Sequence, residues 1–231
     1  MILRIDLKIF LILILFYFTK QLEIYSLIMI FAIIHELCHL FAGLVLKMKV
    51  KRITIMPVGL SIEFKVPYQD LNIKILKSNK HELKKIFIAI AGPLINIIIL
   101  FITFFLNIKI ELKYLIIYSN LVIAVFNLLP IYPLDGGRIL KSILCLIKGR
   151  KRAECLINKI SNSMFFLIMF VFSILIYYLK NISILTIMLY LLYIVTKENK
   201  IYKMKIRMYE IIDENWKRTT ELLIFRYLAK V

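Results

Sequence analysis

Long apolar stretches separated by basic segments dominate this chain. Stretches of about 20 apolar residues are typical of helices that cross a bilayer, because a helix satisfies its own backbone polar groups there. The pattern predicts an all-α polytopic membrane protein with six transmembrane helices. The predicted segments cover Leu7–Thr19, Ile24–Leu46, Ile86–Leu106, Leu112–Leu129, Ser161–Leu179 and Ile182–Thr196. The first and last segments are short for a full span, so the membrane can accommodate them only if these helices tilt or are buried in the bundle.

Two regions depart from this pattern. Residues 51–64 partly alternate between apolar and polar side chains around Pro57 and Gly59, which predicts a short cytoplasmic β-hairpin. Residues 197–231 lack Pro and Gly and carry apolar residues at helical spacing, which predicts an amphipathic C-terminal tail. We therefore expect an intramembrane domain in residues 1–196 and a cytoplasmic amphipathic tail in residues 197–231.

The distribution of charge orients the predicted bundle. Hydrophobic residues make up 61% of the chain, yet its net charge is +18. Of the 32 Lys and Arg residues, 28 lie at the N-terminus, in two alternate loops and in the tail. The positive-inside rule then predicts that both termini are cytoplasmic. Because the charge follows the topology, the lipid bilayer is the expected partner of these basic segments, and no nucleic acid is expected.

The second apolar segment contains a His-Glu-Leu-Cys-His sequence at residues 35–39. On a helix, His35 and His39 lie one turn apart on the same face with Glu36 beside them, an arrangement typical of zinc sites. One charge at the centre of a membrane helix costs at least about 2.5–3.5 kcal/mol, so such residues are usually functional. The alternative is a pair of histidines that pack between helices and hydrogen-bond to neighbours.

A carboxylate that could complete the site follows the fourth segment. Asp135 is the only acid between Glu111 and Glu154, and the predicted topology places it at a depth similar to that of the histidines. Prolines before it and glycines after it predict a sharp turn. Two His and one carboxylate leave a fourth zinc position open for water, as in catalytic sites. The alternative is a carboxylate that caps the turn.

Three motifs carry a family resemblance. The HELCH sequence, Ala91-Gly92-Pro93-Leu94-Ile95-Asn96 and the run NLLPIYPLDGGR at residues 127–138 occur in this order. Over roughly residues 1–200 the chain resembles the site-2 proteases, which are intramembrane zinc metalloproteases. The resemblance implies Zn²⁺ held by His35, His39 and Asp135, with Glu36 as the general base. It also implies that Asn127 holds substrate, although Asn127 could equally tie its helix to a neighbour.

Within that family the chain looks most similar to the sporulation subgroup. This likeness implies a bacterial cell-membrane protease that cleaves a membrane-associated substrate, a sigma-factor precursor, under the control of inhibitory membrane subunits. Relatives of this type usually carry a nucleotide-binding CBS domain after the last helix. Only 35 residues follow Thr196 here, so regulation by ATP through such a domain is not expected.

Several further expectations can be compared with the structure. Gly92 and Pro93 are predicted at an early turn of the third helix with a structural role. His81, in a Lys-rich segment, is predicted to be solvated. The hairpin is predicted either to cover the bundle or to offer an edge strand to the substrate.

Two other functions are also compatible with a membrane protein of this kind. A catalytically inactive adaptor would not need the intact His35, Glu36, His39 and Asp135. A proton-coupled transporter would spread its ionisable residues over several helices, whereas here they cluster at one depth. The sequence therefore favours the protease.

Overall fold

The structure is a computed structural model of the 231-residue chain. It describes residues 2–5, 22–56, 59–64, 75–179 and 182–228. In chain order, the described elements are β1 (Ile2–Ile5), α1 (Leu22–Val45), β2 (Val50–Met56), β3 (Gly59–Phe64), α2 (Ile75–Phe105), α3 (Ile110–Asn127), α4 (Asp135–Lys148), α5 (Arg150–Leu179) and α6 (Ile182–Leu228).

Four of these helices are long and apolar enough to cross a membrane. The apolar spans lie within α1, α2, α3 and α5, and they cover Tyr25–Val45, Asn79–Phe105, Ile110–Asn127 and Arg150–Tyr178. They correspond to the second to fifth predicted segments. The predicted segment Leu7–Thr19 lies outside the described residues, and the segment Ile182–Thr196 forms the beginning of α6. The four spans are those of an integral membrane protein.

A three-stranded sheet precedes α2. Strand β2 pairs antiparallel with β3, from Val50 opposite Phe64 to Met56 opposite Gly59, in the segment where the sequence predicts a hairpin. Strand β1 pairs with the other edge of β2 in parallel. The sequence did not predict β1, because four residues carry too little pattern and their partner lies about fifty residues away. Within the described residues, β3 is paired on one edge only.

The position of the Gly92-Pro93 pair differs from the prediction. Helix α2 begins at Ile75 rather than near residue 86, so both residues lie in its interior and not at an early turn. Both are buried, and the missing N–H of Pro93 leaves the carbonyl of Ala89 without its usual helical donor. The prediction for His81 is also wrong, because His81 lies on α2 with only 2% of its surface exposed.

The segment after Asp135 is helical. Helix α4 begins at Asp135 and packs against α2 and α5, although the sequence was interpreted there as a basic loop. Helix α6 continues for 47 residues from the last predicted membrane segment through the predicted tail, with no break at Thr196. Ile131 packs into an apolar core with Phe165 and Ile168 from α5 and Leu191 and Val195 from α6.

Candidate metal centre

Helix α1 presents both of its histidines to the protein interior. His35 and His39 are each 2% exposed, whereas Leu37 and Phe41 on other faces of the helix are 49% and 68% exposed. Because four residues complete slightly more than one turn, the two imidazoles lie on the same face, edge to face, with ring centroids 4.7 Å apart. The regular helix therefore fixes the spacing of these two side chains without help from the rest of the fold.

Asp135 reaches the same place on a turn. Helix α3 ends at Asn127, and α4 begins at Asp135 as its first residue. The two glycines that follow allow the start of α4 to approach this turn closely. A Cβ on Gly136 would collide with the carbonyl group of Leu128, and a Cβ on Gly137 would lie 2.5 Å from the backbone of Ile131. The carboxylate of Asp135 is buried as a result, with 4% of the residue exposed.

Three side-chain atoms from α1 and α4 converge on one point. Asp135 Oδ2 lies 3.0 Å from His35 Nε2 and 3.0 Å from His39 Nε2. The two Nε2 atoms lie 3.1 Å from each other. Among the described residues, His35, His39 and Asp135 form the one cluster whose ligand atoms lie close enough to share a metal ion. The structure thus brings together the three residues that the sequence suggested as candidate ligands.

The other nitrogen of each imidazole has an acceptor of its own. His35 Nδ1 donates to Asn96 Oδ1 at 3.0 Å, and His39 Nδ1 donates to the backbone carbonyl of Ile88 at 2.6 Å. A proton on each Nδ1 leaves each Nε2 with a lone pair, since neutral imidazole carries one proton. Two nitrogen lone pairs and one carboxylate oxygen then face one another. Such an arrangement of acceptors needs a cation between them.

The donors and the space around them fit a zinc ion. Tetrahedral Zn²⁺ with ligands at about 2.0–2.2 Å has neighbouring ligand atoms roughly 3.3–3.6 Å apart, and the separations of 3.0 and 3.1 Å found here lie a few tenths of an ångström below that range. Gly92 of α2 faces the triangle: a Cβ there would collide with the imidazole of His39 and lie 2.6 Å from His35 Nε2. A glycine at this position therefore leaves room for the two imidazoles, and the acceptors Asn96 Oδ1 and the Ile88 carbonyl orient both Nε2 atoms toward the shared point.

A cavity with several charged groups in its wall opens beside the triad. Its water-accessible volume is about 460 Å³, and Glu36 and His39 form part of its wall. Charged groups from α2, α4 and α5 also line it, among them Glu82, Lys85, Arg138, Lys141 and Glu154. Arg138 approaches the second carboxylate oxygen of Asp135, with Nη1 3.6 Å from Oδ1. Glu36 therefore faces a space that water can enter, next to the metal ligands.

The side chain of Asn127 forms its hydrogen bond within its own helix. Asn127 is the last residue of α3, and its amide nitrogen donates to the carbonyl of Ile123 at 3.0 Å within the same helix. This bond is compatible with either role considered for Asn127, holding substrate or stabilising its own helix.

Sequence reasoning missed three contributions to the site. Asn96, completely buried on α2, orients His35, and the Ile88 carbonyl orients His39. Gly92 supplies the space beside both imidazoles. A buried asparagine in an apolar segment is itself a signal that a polar partner lies nearby. No sequence pattern identifies a backbone carbonyl as an acceptor.

Fold and site together define a membrane-embedded metallopeptidase of the His-Glu-x-x-His type. The profile of peptidase family M50 matches residues 24–112 and 107–172, which include all three candidate ligands. The chain belongs to peptidase family M50, the site-2 protease family.

The relatives agree with this assignment. A zinc metalloprotease of Methanocaldococcus jannaschii is 28% identical over 190 residues, which cover 79% of this chain and 51% of that protein. Stage IV sporulation protein FB of Bacillus subtilis is 30% identical over 118 residues, which cover 49% of this chain and 37% of that protein. The chain thus spans about half the length, or less, of these curated relatives.

A solved structure shares the fold. The site-2 protease from Methanocaldococcus jannaschii superposes with a TM-score of 0.59 at 25% sequence identity. The match covers 85% of this chain and 89% of that chain. Since the relatives are zinc metalloproteases and the donor set fits the ion, zinc is the metal of this site.

Proposed function

We propose that the protein is a zinc-dependent intramembrane endopeptidase that cleaves membrane-associated proteins in or near the bilayer. The observation that carries this proposal is the triangle of acceptors formed by His35, His39 and Asp135, which opens onto a water-accessible cavity beside Glu36. A structural zinc site would be closed by a fourth protein ligand. Here the three side chains leave one position for water or substrate.

Each residue of the centre has a distinct role in this proposal. A zinc ion held at this point would lower the pKa of a water molecule and polarise the scissile carbonyl. His35, His39 and Asp135 would hold the ion, and Asn96 and the Ile88 carbonyl would keep both Nε2 atoms directed toward it. Glu36 takes a proton from the attacking water and returns it to the leaving amine. The buried site around them restricts water to the cavity side.

The substrate must present an extended segment to this centre, because a helix occupies its carbonyl groups with its own hydrogen bonds. We propose that the segment adds to the sheet at β3. Two features support this: β3 is paired on one edge only within the described sheet, and Phe64 at its end lines the cavity together with Glu36. A substrate segment added as a strand at β3 would then run from the sheet toward the metal.

Replacing Ser61 on β3 with proline tests this route. The substitution should raise KM for a peptide substrate, and an unchanged KM would contradict the route.

The identity of the substrate is a finer proposal. Likeness to stage IV sporulation protein FB supports a sigma-factor precursor as substrate and inhibitory membrane subunits as regulators. Co-expression with candidate precursors from the same organism, followed by immunoblotting, tests the first point. A protease that cleaves unrelated membrane proteins but none of these precursors would contradict it.

Six membrane helices with both termini cytoplasmic remain our proposal for the topology. The four apolar spans and the distribution of Lys and Arg support it. Reporter fusions after Phe18, Lys109 and Lys180 should lie outside, and fusions at Lys77, Arg150 and the C-terminus should lie in the cytoplasm. An outward C-terminus would require an odd number of spans and contradict the proposal.

The decisive experiment separates metal binding from proton transfer. With the purified full chain in nanodiscs, Glu36→Gln should retain zinc while cleavage of a model transmembrane substrate falls about 10²- to 10⁴-fold. His35→Ala should lose both, and Glu111→Gln on the exposed surface of α3 should lose neither. Equal loss of zinc in Glu36→Gln and His35→Ala would contradict the assigned roles.

The same measurements address the alternatives. A catalytically inactive adaptor would bind zinc yet cleave no substrate in any variant. A proton-coupled transporter would need no zinc, and its transport would depend on Glu36 as a proton carrier.

A further inference from the structure

The turn that delivers Asp135 is held by helices that contribute no metal ligand. Tyr132 lies three residues before Asp135, and its backbone N–H donates to Ser161 Oγ of α5 at 2.9 Å. Ser161 is buried, and the neighbouring Ile131 is 1% exposed in the core formed with α5 and α6. The position of the ligand-bearing turn therefore depends on the packing of α5 and α6.

Two lysines from different helices flank the ring of Tyr132. Lys141 Nζ of α4 lies 4.5 Å from the ring centroid, and Lys205 Nζ of α6 lies 5.9 Å from it. Ammonium groups at these distances are attracted to the face of an aromatic ring. Lys141 belongs to the same helix as Asp135, whereas Lys205 lies in the part of α6 beyond Thr196.

One carboxylate joins the two lysines. Glu154 Oε1 of α5 lies 2.6 Å from Lys141 Nζ and 3.5 Å from Lys205 Nζ. The side chains of Glu154 and Lys141 are only 13% and 17% exposed, so solvent screens this pair less than a surface pair. Burial lowers the pKa of Lys141. The neighbouring Tyr132 and Glu154 raise it, and together they hold the pKa of Lys141 above the ordinary value for lysine. Without Glu154, two positive charges would repel each other across one ring.

We propose that Glu154, with Lys205, is a positioning residue that couples the C-terminal part of α6 to the metal centre. The four residues Tyr132, Lys141, Glu154 and Lys205 join α4, α5 and α6 to the turn before Asp135, and we call them the turn clamp. Zinc binding requires Asp135 Oδ2 to lie near both Nε2 atoms. A shift of α4 or of the turn should therefore lower the affinity for zinc. This inference rests on the proposed zinc-dependent function, but it concerns residues outside the ligand set.

Zinc affinity of the full chain in nanodiscs, measured by competition with a fluorescent chelator, tests the turn clamp. Glu154→Gln and Lys205→Met should each weaken zinc binding about tenfold, the lower end of the range for residues behind the ligands. Lys205→Arg should restore the parent affinity, because it keeps the charge. Lys203→Met, on an exposed position of the same helix, is the matched control and should match the parent.

Folding is monitored separately by the thermal unfolding of the metal-free protein. If Glu154→Gln does not fold, the more exposed Lys205→Met still provides the test. Folded variants with parental zinc affinity would overturn the inference, as would equal losses in Lys203→Met and Lys205→Met. If the parent itself binds no zinc, the proposed function fails instead, so the two failures are distinguishable.

Discussion

The residues of the metal centre lie on two different kinds of local structure, a regular helix and the end of a turn. His35 and His39 lie on the uninterrupted helix α1, where helical spacing alone places both imidazoles on one face. Asp135 lies where a turn ends and α4 begins, and two glycines next to it are in contact with the backbone of that turn. The spacing of the histidines along α1 thus depends on local geometry, whereas the position of the carboxylate depends on long-range packing. Equivalent substitutions should therefore have different consequences on the two sides.

The largest effect is expected on the turn side. In Gly136→Ala the new Cβ would collide with the carbonyl of Leu128, and backbone cannot rotate away as a side chain can. We expect the free energy of unfolding to fall by about 3 kcal/mol, with loss of zinc, because α4 must move. Denaturant titration in detergent and zinc analysis measure both quantities. Ile143→Ala, at a half-exposed position of α4, should change stability by only about 0.5 kcal/mol. A stable, zinc-loaded Gly136→Ala protein would contradict this picture of the turn.

The same substitution on the histidine side should spare the fold. In Gly92→Ala the new Cβ meets the ends of two imidazoles, which can turn aside. We expect zinc affinity to fall roughly 100-fold, the upper end of the range for disturbed ligand orientation, while the metal-free protein keeps most of its stability. Leu94→Ala, at an exposed position of α2, is the control. If Gly92→Ala instead unfolds like Gly136→Ala, the contrast between the two sides is wrong.

A smaller effect should follow from losing the hydrogen-bond acceptor that orients one of the histidines. Asn96→Ala leaves His35 Nδ1 without its partner, so the ring can adopt the other tautomer and zinc affinity should fall at least about tenfold. Asn120→Ala is a matched control, because Asn120 is equally buried but donates within its own helix to Ile116. Chelator competition on both variants provides the measurement. Equal losses in the two variants would assign the effect to helix packing instead of ligand orientation.

The smallest effect is expected at the end of α3. If Asn127 holds substrate, Asn127→Ala should raise KM roughly three- to tenfold, as expected for the loss of one hydrogen bond, with zinc affinity unchanged. Steady-state kinetics with a model substrate and the zinc assay separate these quantities. A lower zinc affinity with unchanged KM would instead favour a structural role, through the bond to Ile123.

The sequence predicted the cluster of candidate ligands better than the groups around it. The spacing of His35 and His39 and the isolation of Asp135 among apolar residues are local features, so both could be predicted and the structure brings them together. Their partners, Asn96 and the Ile88 carbonyl, lie about fifty or sixty residues away from the histidines. That proximity depends on how α2 packs against α1, which no periodicity encodes.

The errors in the fold have similar physical causes. The Lys-rich surroundings of His81 suggested a solvated side chain, but a helix can bury one face while its lysines extend from another. The basic composition between residues 138 and 159 concealed α4 and the start of α5, because charge reports topology and not secondary structure. Strand β1 pairs with an edge of β2, and this long-range pairing cannot be read from its own four residues.

The two acceptors that orient the histidines, Asn96 Oδ1 and the Ile88 carbonyl, differ in how they respond to mutation. A substitution at position 96 that removes the side-chain Oδ also removes the acceptor for His35 Nδ1. The acceptor for His39 is a main-chain carbonyl, which every residue at position 88 retains. A deep mutational scan should therefore find position 96 intolerant, while position 88 should accept other apolar residues of similar size. A single side-chain substitution can therefore abolish the orientation of His35. The acceptor that orients His39 belongs to the polypeptide backbone and is retained whatever residue occupies position 88.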